Sequence, residues 1–410
     1  MLTGHGKCVI EDLNSTTMFL RKIVFPATIG IMLFVGCKKE TDKSGLADTS
    51  PDECVQKATT SNGEIVPGSY IVAYKVSSVS TRGITAQRLN TIGSEVLSKN
   101  NISPSALRQS FGGEPGGFIA HLSAAEAARL SQDENIAAIE PDRIISLGTC
   151  FTVAAPRLIT WNIDRVGYGD GIGKRAWIID SGIDFDHPDL TVDITKSKSF
   201  ISGESSADDE NGHGTHVAGI IGAKNNTFGV LGIASGATLV SLRVLDKEGN
   251  GLLSSIIQAL AYVNMHGSAG DVINLSVGDD EGISTTLDDQ VKNTAAKGIY
   301  ISIAAGNETA LANKYSPGRT NAVNVFTVSA IDSLDNFAKF SNYGNDVVDY
   351  AAPGVRILST FTNGRYAYLS GTSMAAPHVA GLLLLKGNSI TGSGTAKNDP
   401  DGTPDLIAHY

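Results

Sequence analysis

The chain has 410 residues, with 32 Lys and Arg against 42 Asp and Glu, 45 Gly and 4 Cys. At 41% hydrophobic and 18% charged it is neither disordered nor collagen-like; its length suits roughly two or three domains, and no apolar run reaches the ~18 residues of a membrane span. Residues 1–148 carry 14 basic and 15 acidic groups and residues 149–410 carry 18 and 27, so the larger part is net −9 and ill suited to nucleic acid, which is held by Lys and Arg on phosphates.

The first element is an export address. Met18 reads as the biological start, Arg21 and Lys22 as a charged region, and Ile23 to Val35 as the apolar region of a secretory signal. The ending Leu33-Phe34-Val35-Gly36-Cys37 resembles the lipobox of bacterial lipoproteins, with Phe34 where that family usually has Leu. The resemblance implies acylation of Cys37 and a membrane anchor for the precursor. A polar tether, 38–65, follows. Cys54 and Cys150 remain; no cysteine spacing suits a metal site, and whether these two pair is left open.

Between residues 66 and 147 strand and helix patterns alternate: strand over Ser69–Tyr74, helix over Ala86–Leu97, strand over Gly117–Leu122. A capping box at Ser123–Glu126 then opens a second helix, and a last strand over Ile136–Ile145 breaks at Glu140-Pro141-Asp142. That order predicts a small ferredoxin-like α+β module of the split βαβ kind. From 152 to 410 short apolar runs at Ala176–Ile179, Leu239–Leu245, Val272–Leu275 and Ile299–Ile303 alternate with helical patterns at His216–Ala223, Leu252–His266 and Leu287–Ala296. This is an α/β pattern: a mostly parallel sheet with helices on both faces, its ligands beyond the strand C-termini. The first run ends at Asp180, and the run from Ile299 ends at Gly306-Asn307.

Three glycine-flanked segments carry an acid, an imidazole and a hydroxyl: Asp180-Ser181-Gly182, Gly212-His213-Gly214-Thr215-His216 and Gly371-Thr372-Ser373-Met374-Ala375. A serine hydroxyl becomes a competent nucleophile when an imidazole takes its proton and a carboxylate fixes that imidazole's tautomer. Competing patterns are weaker. Ala375 stands where a G-x-S-x-G elbow has its second glycine, and His213 with His216 lacks a third zinc ligand. Gly167 to Gly171 precedes the first strand, so a dinucleotide reading fails; no organic cofactor is expected.

Together these segments resemble the subtilisin-type serine proteases, the subtilases, over about 230 residues from Asp164 to Lys386. The order Asp, His, Ser with spacings of 33 and 160 residues is similar to theirs, and Ala304-Ala305-Gly306-Asn307 resembles their oxyanion segment. The resemblance implies an acyl-enzyme endopeptidase acting on proteins or peptides, with Asp180 orienting His213, His213 as base and then acid, and Ser373 as nucleophile. Asn307 and the Ser373 N–H would hold the oxyanion, with Ser373 opening the helix Met374–Lys386 and Pro377 in its first turn. His216 and His378 would be non-catalytic. It further implies a substrate cleft between Gly249-Asn250-Gly251 and Ser276-Val277-Gly278, and a primary pocket walled by Ala304, Ala305 and Gly306 with room for a large apolar residue. A calcium ion would be bound by Asp189, Asn226 and the carbonyls of Lys224, Phe228 and Val230. The 66–147 module resembles the family's inhibitor pro-region, whose tail Ile144–Leu147 would block the cleft until self-cleavage between Leu147 and about Thr160. The polar end beyond Lys386 is shorter than the family's final helices, so its edge is open. The alternative function is an inactive, surface-tethered peptide-binding protein on the same fold.

Overall fold

The structure is a computed structural model that describes residues 63–76, 81, 84–146, 152–153, 159–278 and 282–410, the pair 152–153 by backbone alone. The signal stretch, Cys37, the tether, Cys54, Leu147 and Cys150 lie outside the described residues.

The N-terminal module runs β1 (Ile65–Tyr74), α1 (Ala86–Lys99), β2 (Leu107–Phe111), β3 (Gly117–His121), α2 (Ala124–Leu130) and β4 (Ile136–Ser146). Its strands lie in the order β4-β1-β3-β2, every neighbour antiparallel, which is the expected ferredoxin-like arrangement. The capping box forms as predicted: Ser123 accepts from the Glu126 N–H, and Glu126 accepts from the Ser123 N–H at 2.9 Å. One strand, β2, was not foreseen, because Arg108 and Gln109 are both exposed and the alternation is broken. The expected break at Glu140-Pro141-Asp142 is corrected: β4 runs through it. Pro141 sits opposite Tyr70 at one end of a register shift in β1, the kind of irregularity at which a strand tolerates a residue without an N–H. Val72, Leu97, Phe118, Leu130 and Ile136 form the module's own core.

The larger unit continues through β5 (Thr152–Val153), α3 (Trp161–Val166), β6 (Gly169–Asp170), β7 (Arg175–Asp180), β8 (Lys198–Ser199) and α4 (His213–Gly222). Next come β9 (Ala234–Ser235), β10 (Thr238–Arg243), β11 (Asn250–Leu252), α5 (Leu253–His266), β12 (Val272–Leu275), α6 (Thr285–Ala295) and β13 (Tyr300–Ala304). The chain closes with β14 (Val325–Ile331), β15 (Val348–Pro353), β16 (Ile357–Phe361), β17 (Arg365–Leu369), α7 (Thr372–Lys386), β18 (Thr391–Thr395) and β19 (Leu406–His409).

The main sheet has the order β18-β19-β15-β14-β13-β12-β7-β10-β8 and is parallel except for the β18–β19 pair. Successive side chains of a strand point to opposite faces. In β7, Ala176 and Ile178 therefore pack with α4 and α7, while Trp177 and Ile179 pack with α5 and α6. Both faces are covered, which is why these strands are apolar throughout. Beyond Lys386 the chain adds β19 and β18 to the sheet edge in place of helices, and Asp405 locks them there by accepting from Ser329 Oγ at 2.6 Å.

Candidate active site

Asp180 ends β7 and His213 opens α4, so the sheet and one helix bring an acid and a base together across 33 residues of chain. His213 Nδ1 lies 2.7 Å from Asp180 Oδ1, which also accepts from the Ser181 N–H at 2.7 Å. Asp180 is fully buried and His213 is 1% exposed, so neither charge nor ring is free to turn. Gly214 permits this approach: a Cβ there would stand 2.1 Å from the Gly182 carbonyl and 3.0 Å from Asp180 Cβ. Donation from Nδ1 leaves Nε2 as the lone-pair nitrogen, and Nε2 is buried without a hydrogen-bond partner among the described residues.

Ser373 stands at the second residue of α7, not before it, and is 5% exposed. Its hydroxyl donates to the Ser276 carbonyl at 3.2 Å, and Ser276 Oγ donates to the Ser373 carbonyl at 2.9 Å. The second bond corrects the reading of Pro377. That residue is the sixth of the helix, not in its first turn, and its missing N–H deprives the Ser373 carbonyl of its i→i−4 donor. Ser276 replaces that donor, itself held by Asn274 Nδ2 at 2.8 Å. Gly371, with φ at +153°, makes the turn that brings β17 onto α7. Asn307 follows β13; its Oδ1 accepts from the Thr372 N–H at 2.9 Å and from Thr372 Oγ1 at 3.1 Å. The amide is thereby oriented with its NH2 end away from Thr372.

Several supporting residues were not read from the sequence. Asp209 is buried and accepts from Ser181 Oγ, Asn211 N–H and Gly212 N–H through Oδ1, and from Thr215 N–H and Oγ1 through Oδ2. Ser181 Oγ in turn accepts from the Gly214 N–H at 2.9 Å, so one carboxylate ties the Asp180 turn to the start of α4. An acid four residues before His213 was the available signal. His216 and His378 are buried and bonded to structural partners: His216 Nε2 to the Ile357 and Ala367 carbonyls, His378 to the Met374 carbonyl and Asn162. Burial pushes His216 down to about 3 and His378 down to about 4, so both rings are neutral.

The segment Gly249-Asn250-Gly251, expected to edge the substrate cleft, is paired with the N-terminal module. Strand β11 pairs antiparallel with the end of β4, Asn250 opposite Ser146, Gly251 opposite Ile145 and Leu252 opposite Ile144. Two residues of β4 on one face, Glu140 and Asp142, reach the N-termini of two adjacent helices. Glu140 accepts from Ser284 Oγ at 2.8 Å and the Thr286 N–H at 3.2 Å; Asp142 accepts from the Ser254 N–H at 3.1 Å and Ser254 Oγ at 2.7 Å. Burial in this contact raises both carboxyl groups above their usual range. Beside Ile144, a cavity of about 290 Å³ is lined by Ile201, Val244, Leu252 and Ser255. On the other side, Ser276 and Val277 are buried and Gly278 approaches Pro317. Of the three expected pocket residues, Ala304 and Gly306 are partly exposed, whereas Ala305 is turned into a small core with Ala312 and Val347.

The loop expected to bind calcium has a different donor pattern. Asp189 is fully buried; Oδ1 accepts from Asn226 Nδ2 at 2.7 Å, and Oδ2 accepts from the Val230 N–H at 2.9 Å and Tyr366 OH at 3.2 Å. Asn226 Oδ1 is taken by the Phe228 N–H at 3.0 Å, which fixes the amide with its nitrogen toward Asp189. Lys224 Nζ caps the Pro188 carbonyl. Both side chains expected as calcium ligands are thus engaged within the loop, Asp189 by N–H and O–H donors and Asn226 by the Phe228 N–H. Among the described residues no group of three or more His, Cys, Asp or Glu is placed to hold a metal.

Comparison with known proteins agrees with this geometry. Residues 177–391 match the model described as "Subtilase family", and residues 69–148 match "Peptidase inhibitor I9". The chain is 37% identical over 353 residues to the "Extracellular serine proteinase" of Thermus sp. (strain Rt41A), covering 78% of this chain and 80% of that one. It is 40% identical over 276 residues to the "Thermostable alkaline protease" of Halalkalibacterium halodurans, covering 65% and 71%. A crystal structure of a cold adapted subtilisin-like serine proteinase superposes with a TM-score of 0.55 at 31% identity, covering 62% of this chain and 98% of that chain. The chain belongs to the subtilase family and carries the family's inhibitor-type pro-region.

Proposed function

We propose that Asp180, His213, Ser373 and Asn307 are the working residues of this subtilisin-type serine endopeptidase, which is made as a self-processing zymogen. The observation that carries the assignment is the buried 2.7 Å pair of His213 Nδ1 with Asp180, which leaves His213 Nε2 as the unpartnered base. For reaction the Ser373 hydroxyl turns from the Ser276 carbonyl and gives its proton to Nε2 while Oγ attacks the substrate carbonyl carbon. The oxyanion is met by the Asn307 amide and the Ser373 N–H, whose donors are held in place before charge develops. The C–N bond then breaks and His213 returns the proton to the leaving nitrogen. Water repeats the sequence to free Ser373. No observation favours the inactive peptide-binding alternative.

The domain limits follow the same reading: signal 18–37, tether 38–65, pro-region 66–147 and catalytic domain 152–410. The relative named an extracellular proteinase supports export of this chain. The lipobox-like sequence at Cys37 supports a lipid anchor on the pro-region side, so that self-cleavage frees the catalytic domain from the membrane. For the loop 224–230 we set calcium aside in favour of closure by its own hydrogen bonds. Ser373→Ala expressed in a protease-free host should accumulate as unprocessed precursor. Wild-type enzyme should label with a fluorophosphonate and the variant should not. A variant that matures normally, or mature folded wild type that does not label, would overturn the assignment. Cys37→Ser should move precursor from membranes to the soluble fraction.

A further inference from the structure

Asparagine followed by glycine is the pair of residues most prone to lose its side-chain amide, because the glycine nitrogen can attack the asparagine Cγ with no Cβ in the way. The chain has this pair at four places, and three lie within the described residues: Asn211-Gly212, Asn250-Gly251 and Asn363-Gly364. At two of them a carboxylate of the larger domain holds the attacking nitrogen. The Gly212 N–H donates to Asp209 Oδ1 at 2.9 Å, and the Gly364 N–H donates to Asp184 Oδ2 at 3.1 Å. At Asn250-Gly251 the acceptor belongs to the N-terminal module instead. Asn250 gives its own N–H to Asp246 Oδ1 at 2.9 Å, and its carbonyl accepts from the Asp246 N–H at 2.7 Å. Successive residues of a strand turn their backbone groups to opposite sides, so Gly251 directs its N–H the other way, to its register partner Ile145 of β4. Glycine is required at 251, where a Cβ would stand 2.1 Å from the Val244 carbonyl oxygen. Asn250 itself is partly exposed, beside the cavity at Ile144.

We propose that Asn250 is a deamidation site that opens when the pro-region leaves. This rests on the self-processing reading above and adds to it a chemical change in the mature chain. A base from solvent takes the Gly251 amide proton, the nitrogen bonds to Asn250 Cγ, and the side-chain nitrogen departs as ammonia. Water then adds to a carbonyl of the five-membered imide and breaks one of its two C–N bonds. Breaking the new bond leaves an aspartate. Breaking the original peptide bond leaves an isoaspartate, with the main chain routed through the side-chain carbon. Either product puts a negative charge on this edge, and isoaspartate adds one carbon to it, which spoils the spacing that backbone pairing needs. In the precursor, pairing with Ile145 holds the Gly251 nitrogen in the ladder and the site stays closed. Asn211 and Asn363 stay closed before and after processing, because Asp209 and Asp184 remain with the larger domain.

The test incubates three samples at mildly alkaline pH: mature wild type blocked with a fluorophosphonate and freed of its pro-region, Ser373→Ala precursor, and that precursor carrying Glu140→Lys and Asp142→Lys. The last pair of substitutions strips the pro-region's contacts from the starts of α5 and α6. Peptide mapping by mass spectrometry follows the amide-to-acid conversion at each Asn-Gly pair, and labelling by an isoaspartyl methyltransferase counts isoaspartate. Asn250 should convert about tenfold faster in the mature enzyme than in the Ser373→Ala precursor, the scale of one released backbone hydrogen bond. The loosened precursor should fall between them, with Asn211 and Asn363 slow in all three samples. Asn250→Gln in the mature enzyme should abolish the isoaspartate signal. An Asn250 rate no higher in the mature enzyme than in the precursor would overturn the proposal, as would Asn211 or Asn363 converting as fast as Asn250 in the mature enzyme. Wild type that yields no processed chain would instead refute the self-processing reading; equal Asn250 rates in the loosened and intact precursors would then overturn the proposal by themselves.

Discussion

Ser276→Ala removes a hydroxyl that does the work of a missing backbone donor. Pro377 supplies no N–H, so the Ser373 carbonyl accepts from Ser276 Oγ at 2.9 Å, and that hydroxyl accepts from Asn274 at 2.8 Å. Ser276 is 2% exposed and Asn274 fully buried, so water cannot replace what the variant loses. Leaving a buried polar group unsatisfied costs about 1–3 kcal/mol, and here a carbonyl and an amide are both affected. Pro377→Ala restores an N–H at the position that bonds residue 373 in a regular helix. The loss caused by Ser276→Ala should therefore shrink by about 1 kcal/mol or more in the Pro377→Ala background. Urea unfolding of the precursor carrying Ser373→Ala, which prevents self-digestion and keeps the backbone carbonyl, measures all four corners of this cycle. Additivity within about 0.5 kcal/mol would refute the substitution of one donor for the other.

Asn307→Leu should fold and lose about 10²–10³ in kcat with little change in KM, measured on a short chromogenic peptide; an unchanged kcat would remove Asn307 from the oxyanion site. Chelator should leave the thermal midpoint of the mature enzyme unmoved, while Asp189→Ala lowers it equally with and without chelator; a chelator-dependent drop would restore calcium. Burial, reinforced by Asp399, Asp401 and Asp349, pushes Asp405 up to about 7, against an ordinary value near 3.8. A folded-state value raised in this way leaves stability intact below about pH 4 and erodes it as pH rises through 7. Asp405→Asn should therefore be more stable than wild type at pH 9, by a margin that vanishes toward pH 4 in urea titrations; an equal margin at both would refute this.

The central strands and the Asp180–His213 pair are legible because each lies in a short segment of distinctive local composition. Apolar runs end at Asp180 and at Gly306-Asn307, and the glycines around His213 and Ser373 mark close packing. The module's helices and capping box were legible for the same reason. What escaped depends on partners far along the chain. Ser276 reads as a cleft residue, and its bond to the Ser373 carbonyl spans 97 positions. Asp209 reads as one more acid in a polar loop until Ser181 and Thr215 converge on it. The orientation of Asn226 toward Asp189 is set by a single N–H two residues away. Pro141 reads as a strand break because the register shift in β1 that accommodates it lies some seventy positions away. Of the two C-terminal strands, β18 is Thr-Gly-Ser-Gly-Thr, with little strand propensity, and β19 is only four residues long; both become ordered on an existing sheet edge.

Because β11 is the fifth strand of the pro-region sheet, this edge of the larger domain is paired as soon as the precursor folds. An unpaired edge is a template for any extended chain, including a second copy of the same protein. The zymogen thus conceals the surface that would otherwise invite edge-to-edge association during export, when precursor is crowded and unprocessed. Removal of the pro-region uncovers only three residues, Asn250, Gly251 and Leu252, with a glycine at the centre. A strand that short is a poor seed for a growing sheet.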